Sequence, residues 1–138
     1  MKYRGKTKKG KWVEGYYCIA SNTHLIIKED ARLVNPCGGL VMDIHPNYYI
    51  DRFIKVIPDS VAMSTGLKDK NGKDLDWWEG DLLEEDGGKI MEIVYENGCF
   101  WGVWVKHREH KQPLYKLFDW IDAIKKIGTV FDNPELLK

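Results

Sequence analysis

The sequence has no excess charge: its 21 lysines and arginines balance 21 aspartates and glutamates. Steering of the whole molecule toward nucleic acid or an anionic membrane is therefore not expected, and any such partner must meet a local patch. It also has no long apolar run, since no stretch approaches the roughly 20 residues that cross a bilayer. The basic opening MKYRGKTKKGKW is followed by no apolar stretch, so it does not read as a signal peptide. Cysteine is scarce. Cys18, Cys37 and Cys99 are odd in number and far apart, which excludes a zinc knuckle or a CxxC redox pair and points to buried free thiols. Two catalytic signatures are missing as well: there is no Gly-x-Ser-x-Gly elbow, and no glycine-rich loop ends in Gly-Lys-Ser/Thr.

Aromatic residues and turn signals are plentiful. Six tryptophans and seven tyrosines lie in 138 residues, and aromatic and β-branched side chains suit a pleated, half-buried surface. Between them fall Lys9-Gly10, Ser21-Asn22, Asn35-Pro36, Gly38-Gly39, Pro58-Asp59, Asn71-Gly72, Gly87-Gly88 and Asn97-Gly98. Short runs separated by tight turns indicate antiparallel β structure. Lys8-Lys9-Gly10 reads as a hairpin tip before a strand from Trp12 to Ile19, with His24–Lys28 as its return. Glu29–Pro46 loses the pattern and reads as a loop. Strand character resumes at Tyr48 and stops at Pro58, which cannot donate to a ladder.

The clearest unit is 80–105. Asp81–Asp86, Gly87-Gly88, Lys89–Glu96, Asn97-Gly98 and Cys99–Lys106 form three strands joined by two turns. Met91, Ile93 and Tyr95 alternate onto one face, and Cys99, Trp101, Val103 and Val105 share another. Asn-Gly between alternating runs is the strongest local hairpin signal. Arg108–Pro113 reads as a polar loop. Leu114, Leu117, Phe118, Ile121 and Ile124 stand at helical spacing behind Pro113, which predicts one short helix, and Ile127–Asp132 reads as a last strand. The expected fold is mainly β: one domain over 1–138, with an N-terminal hairpin region over 1–60 and a small barrel-like antiparallel meander within 61–138.

Three segments resemble the YopX family of phage and prophage proteins. They are Arg4-Gly5-Lys6 with Gly10–Gly15, then Thr65–Lys73 with Glu79-Gly80-Asp81, and Ile127–Leu137. Asp76-Trp77-Trp78 reads as a short insertion relative to the family pattern, and Ser64 stands where an aromatic is usual. The resemblance implies a mainly β fold and a phage context in a bacterial cytoplasm, and it carries over no catalytic residue.

Asp69, Asn71, Asp74 and Asp76 are closely spaced oxygen donors, yet counting from Asp69 puts Asp74 where a calcium loop of the EF-hand type needs glycine and Gly80 where it needs glutamate. His107 and His110 are three apart on a loop and lack two further ligands for zinc. No metal and no cofactor is expected. Trp77 and Trp78 are adjacent, so in a strand their rings face opposite ways and at least one is open to solvent, whereas a long loop that folds back buries both. Exposed tryptophan marks contact surfaces, which makes the pair the candidate partner surface. Lys6, Lys8, Lys9 and Lys11, with Lys106, Arg108 and Lys111, form the candidate nucleic-acid patch, beside Trp101 or Trp104. The expectation is a non-enzymatic phage-encoded binding or regulatory protein that acts through protein contacts or self-association. The alternative is a nucleic-acid-binding β protein.

Overall fold

A computed structural model describes residues 1–28, 33–34, 49–50 and 53–138. Among the described residues twelve strands run in chain order: β1 (Tyr3–Lys6), β2 (Trp12–Ala20), β3 (Thr23–Ile27), β4 (Leu33–Val34), β5 (Tyr49–Ile50), β6 (Phe53–Lys55), β7 (Ala62–Met63), β8 (Asp81–Glu84), β9 (Ile90–Glu96), β10 (Cys99–Trp104), β11 (Lys111–Pro113) and β12 (Lys125–Thr129). The fold is mainly β, and the chain divides into two compact units, Met1–Val61 and Ala62–Lys138.

In the first unit the strands run in the order β6-β3-β2-β1, all antiparallel. The β1–β2 turn closes where the Thr7 N–H donates to the Lys11 carbonyl (2.9 Å) and the Gly10 N–H donates to the Thr7 carbonyl (2.9 Å). Ser21 and Asn22 both take positive φ in the two-residue turn to β3, the geometry that matches strand twist. Tyr17, Ile26 and Ile54 share a register row, and they pack with Val13, Val56, Tyr3 and Val61 into this unit's core. Gly15 is required by close approach. A Cβ there would lie 2.1 Å from the Ile27 carbonyl oxygen. Ser60 ties the short 3-10 turn Pro58–Ser60 back to β1: its hydroxyl accepts the Lys6 N–H (2.7 Å) and donates to the Ile57 carbonyl (2.6 Å).

In the second unit the order is β11-β10-β9-β8-β12. The Asn97-Gly98 turn, with φ of 53° and 77°, sets the register Cys99↔Glu96 through Trp104↔Met91. Leu83, Met91, Ile93 and Trp77 form the core, capped by Leu114 and Leu117, which lie over Gly102. The strand β8 carries a fully buried leucine on each face, Leu82 and Leu83. Before it, residues 64–78 make a long antiparallel arm that bridges at Ser64↔Trp78 and Lys68↔Asp74.

The expected short helix is present over Leu114–Ala123, as a 3-10 helix broken at Trp120 (φ −135°, ψ 33°), and it packs Leu114 and Leu117 fully inward. Three expectations are corrected. The meander is an open sheet with β11 and β12 as its edges, because the final strand adds beside β8 instead of joining β11 to close a barrel. Lys111–Pro113, expected as loop, pairs with β10. The last strand starts earlier, at Lys125, and Val130–Asp132 turns away from it. The loop expected over Glu29–Pro46 lies almost wholly outside the described residues. No helix among the described residues is long and apolar enough to cross a membrane.

Candidate functional site

The tandem tryptophan is not on the surface. Trp77 is 6% and Trp78 3% exposed, so of the two readings the folded-back arm that buries both rings is the one the structure has. Neither residue lies in a named strand. The Trp77 ring joins the core of the second unit. The Trp78 indole N–H donates to Asp76 Oδ1 (2.8 Å), and its backbone N–H donates to Asp81 Oδ2 (2.8 Å).

The acidic residues of this arm are engaged in shaping it. The Asp69 carboxylate accepts the N–H groups of Asn71 (2.8 Å) and Lys73 (2.9 Å), and Asp74 accepts that of Asp76 (2.9 Å). Asp81 is fully buried, with Lys126 Nζ 3.4 Å from its Oδ2. The Glu79-Gly80-Asp81 segment thus holds the arm to the sheet: the Gly80 N–H donates to the Ile93 carbonyl, and the Gly80 carbonyl accepts from Val130 N–H.

The seven basic residues of the expected patch are divided between the two units. Lys6, Lys8, Lys9 and Lys11 flank the β1–β2 turn of the first, where Lys6 Nζ lies 5.3 Å from the Trp12 ring centroid. Lys106, Arg108 and Lys111 belong to the second. Arg108 donates to Glu92, and Lys111 donates to Glu96 (2.9 Å) while lying 4.8 Å from the Trp101 ring centroid. Among the described residues Lys106 makes no ion pair.

Lys106 instead lines a cleft of about 560 Å³ at the far end of the β9–β10 hairpin. Ile90, Trp104, Val105 and Leu136 supply its apolar wall, and the Gly87-Gly88 turn borders it. Lys89 and Lys106 supply its charge and His107 and His110 line it as well, with no carboxylate among the described lining residues. Lys89 Nζ stands 4.5 Å from the centroid of the Trp104 indole. The loop after Trp104 is closed by hydrogen bonds from Trp104 N–H to the His110 carbonyl (3.1 Å) and from His110 N–H to the His107 carbonyl (2.8 Å). This brings the His110 ring 5.4 Å from that of Trp104. Glu109 sits beside the cleft, its Oε1 3.8 Å from His107 Nδ1 and 3.7 Å from His110 Nε2. The Trp104 Nε1 atom is buried without a hydrogen-bond partner among the described residues.

Contiguous basic runs in the sequence miss Lys89, yet the hairpin register contains it. The pairing Trp104↔Met91 and the hydrogen bond from Val105 N–H to the Ile90 carbonyl (3.0 Å) bring Lys89 and Lys106 to the same end of the hairpin, and both line the cleft. A second cleft of about 330 Å³, between 68–70 and 118–122, mixes Lys68 and Lys70 with Asp69, Asp119 and Asp122 and so favours neither sign.

The fold and this cleft define a small two-unit antiparallel β protein with a cationic, aromatic-lined recess. The chain matches the family model described as YopX protein over residues 2–138, and it belongs to the YopX family. It is also 42% identical over 43 residues to a phosphomethylpyrimidine synthase of Thermoanaerobacter sp. (strain X514), a match that spans 30% of this chain and 10% of that protein.

Proposed function

We propose that the protein is a non-enzymatic binding protein, encoded by a phage or prophage and working in the host cytoplasm, and that the cleft of the second unit is where it holds a phosphate-bearing partner. One observation carries this reading. Lys89 and Lys106 line the same recess, with no carboxylate among its described lining residues, although the chain as a whole is neutral. Two like charges gathered in one recess are relieved when an anion sits between them. Of the basic residues expected from sequence, Lys106 keeps its place in this reading, while Arg108 and Lys111 are held by Glu92 and Glu96.

The test is fluorescence anisotropy of a labelled single-stranded oligonucleotide against the intact protein over a series of salt concentrations. Binding that weakens steeply with salt and falls at least tenfold in Lys89→Glu/Lys106→Glu supports the reading. Equal binding by both proteins, or none by the wild type, overturns it.

A second reading, contact with a protein partner or a second copy, rests on the 3-10 segment Leu114–Ala123. There Tyr115, Phe118 and Trp120 are 59%, 39% and 43% exposed, and large exposed aromatic groups mark contact surfaces. Light scattering behind size exclusion on wild type and Tyr115→Ser/Trp120→Ser tests it. An oligomer that dissociates in the variant supports self-association, and a wild-type monomer removes it.

A further inference from the structure

Resting on the reading of the cleft as a phosphate site, we infer that its occupant is a single nucleotide unit, with the phosphate between Lys89 and Lys106 and the base against Trp104. The shared chemistry is a phosphorylated nucleoside, either free or at the end of a single strand.

The size and the two kinds of wall lead there. A recess of about 560 Å³ falls within the roughly 300–1,000 Å³ of small-molecule pockets. Its lining combines the ammonium groups of Lys89 and Lys106 with Ile90, Val105, Leu136 and an indole. A bare inorganic anion leaves the apolar lining unused. A purely apolar molecule leaves both lysines without an anion. A nucleotide satisfies both, since its base presents a flat π-face and its phosphate presents acceptor oxygens.

The pairing of Lys89 with Trp104 supplies the means of exchange. The ammonium lies over the indole, where ring quadrupole and cation attract. A phosphate offers that ammonium a charge-assisted hydrogen bond, a stronger contact. The swing of the lysine to the phosphate clears the indole face for the base, and base–aromatic stacking is indifferent to base identity. The Trp104 Nε1–H has no acceptor among the described residues, so adjustment of the ring to meet a base breaks no hydrogen bond. The His110 ring packs 5.4 Å from the indole, and Glu109 stands beside both imidazoles. The two lysines are therefore the main phosphate contacts.

Isothermal titration of the intact protein with adenosine 5′-monophosphate, adenosine and inorganic phosphate tests the inference. Single strands with and without a 5′-phosphate complete the set. The monophosphate is expected to bind at least tenfold more tightly than adenosine or phosphate. Trp104→Leu is expected to remove the advantage over phosphate, Trp104→Phe to restore most of it, and Lys89→Gln, at an exposed position, to weaken every phosphate-bearing probe. A preference for the free monophosphate over the 5′-phosphorylated strand identifies a free nucleotide as the occupant; equal affinity for the two identifies a strand end. Inorganic phosphate binding as tightly as the monophosphate, unchanged by Trp104→Leu, overturns the nucleotide inference and leaves the phosphate site standing. No binding of any of these probes overturns both.

Discussion

The ammonium of Lys89 lies over the Trp104 indole, 4.5 Å from its centroid, and the same lysine shares a cleft with Lys106. The cation–π contact favours this placement, and the second positive charge in the cleft opposes it. The substitution Lys106→Glu keeps the first and reverses the second. It is expected to raise stability by about 0.2–1 kcal/mol, the range of an exposed charge pair, while it weakens anion binding. Urea midpoints and an anion titration on the same preparation check both halves. A loss of stability would show that the two lysines do not repel.

Trp77→Ala is expected to destabilise the protein by about 3–5 kcal/mol, the range for removing a large aromatic from a core. The ring contacts the cluster of Leu83, Met91 and Ile93. Chemical denaturation measures the loss, and near-ultraviolet circular dichroism reports whether packing around the remaining aromatics survives. A change under about 0.5 kcal/mol, the range for surface substitutions, would mean the ring is not buried in solution.

Asp81→Ala removes a fully buried carboxylate that accepts the Trp78 N–H and faces Lys126. Breaking one side of such a pair typically costs about 3–5 kcal/mol. Lys126 is a third exposed and can turn to water, so the lower end of that range is expected. The effect is read as a fall in the urea midpoint. A neutral result would remove Asp81 as the anchor between the arm and the sheet.

Gly128→Ala is expected to destabilise by about 1–3 kcal/mol, the range for overpacking. A Cβ at Gly128 would lie 2.2 Å from Asn133 Oδ1, and the same oxygen accepts the Thr129 N–H at 3.2 Å. Adding Asn133→Ala makes room, so the double variant should lose less than the sum of the two single losses. Strict additivity in a thermal-denaturation cycle would show that the two side chains do not compete for the same space.

The features legible in the sequence are those set by near neighbours. The Asn97-Gly98 turn and the alternation around it specify β9, β10 and their register, because positive φ and period two are local properties. The family segments are legible for the same reason: Gly15, Gly80 and Gly128 stand where backbone or side chains crowd in. The fates of Trp77 and Trp78 are not local. Both rings are covered by parts of the second unit far from them in sequence. The basic run from Lys106 to Lys111 misleads in another way. Two of its cations, Arg108 and Lys111, are claimed by Glu92 and Glu96 on a neighbouring strand. The lysine that shares a cleft with Lys106 sits 17 positions earlier and is brought there by the hairpin.

The strand β8 lies between β9 and β12, with a fully buried leucine on each of its faces. Its second neighbour is synthesised last of all the strands, more than 40 residues later. Until β12 arrives, a nascent or clipped chain displays a bare, greasy edge of the kind that recruits other chains. A fragment that stops before Lys125 should accordingly be recovered as aggregate. The chaperone dependence of this protein during synthesis should be concentrated in the interval between the emergence of Asp81 and that of Thr129.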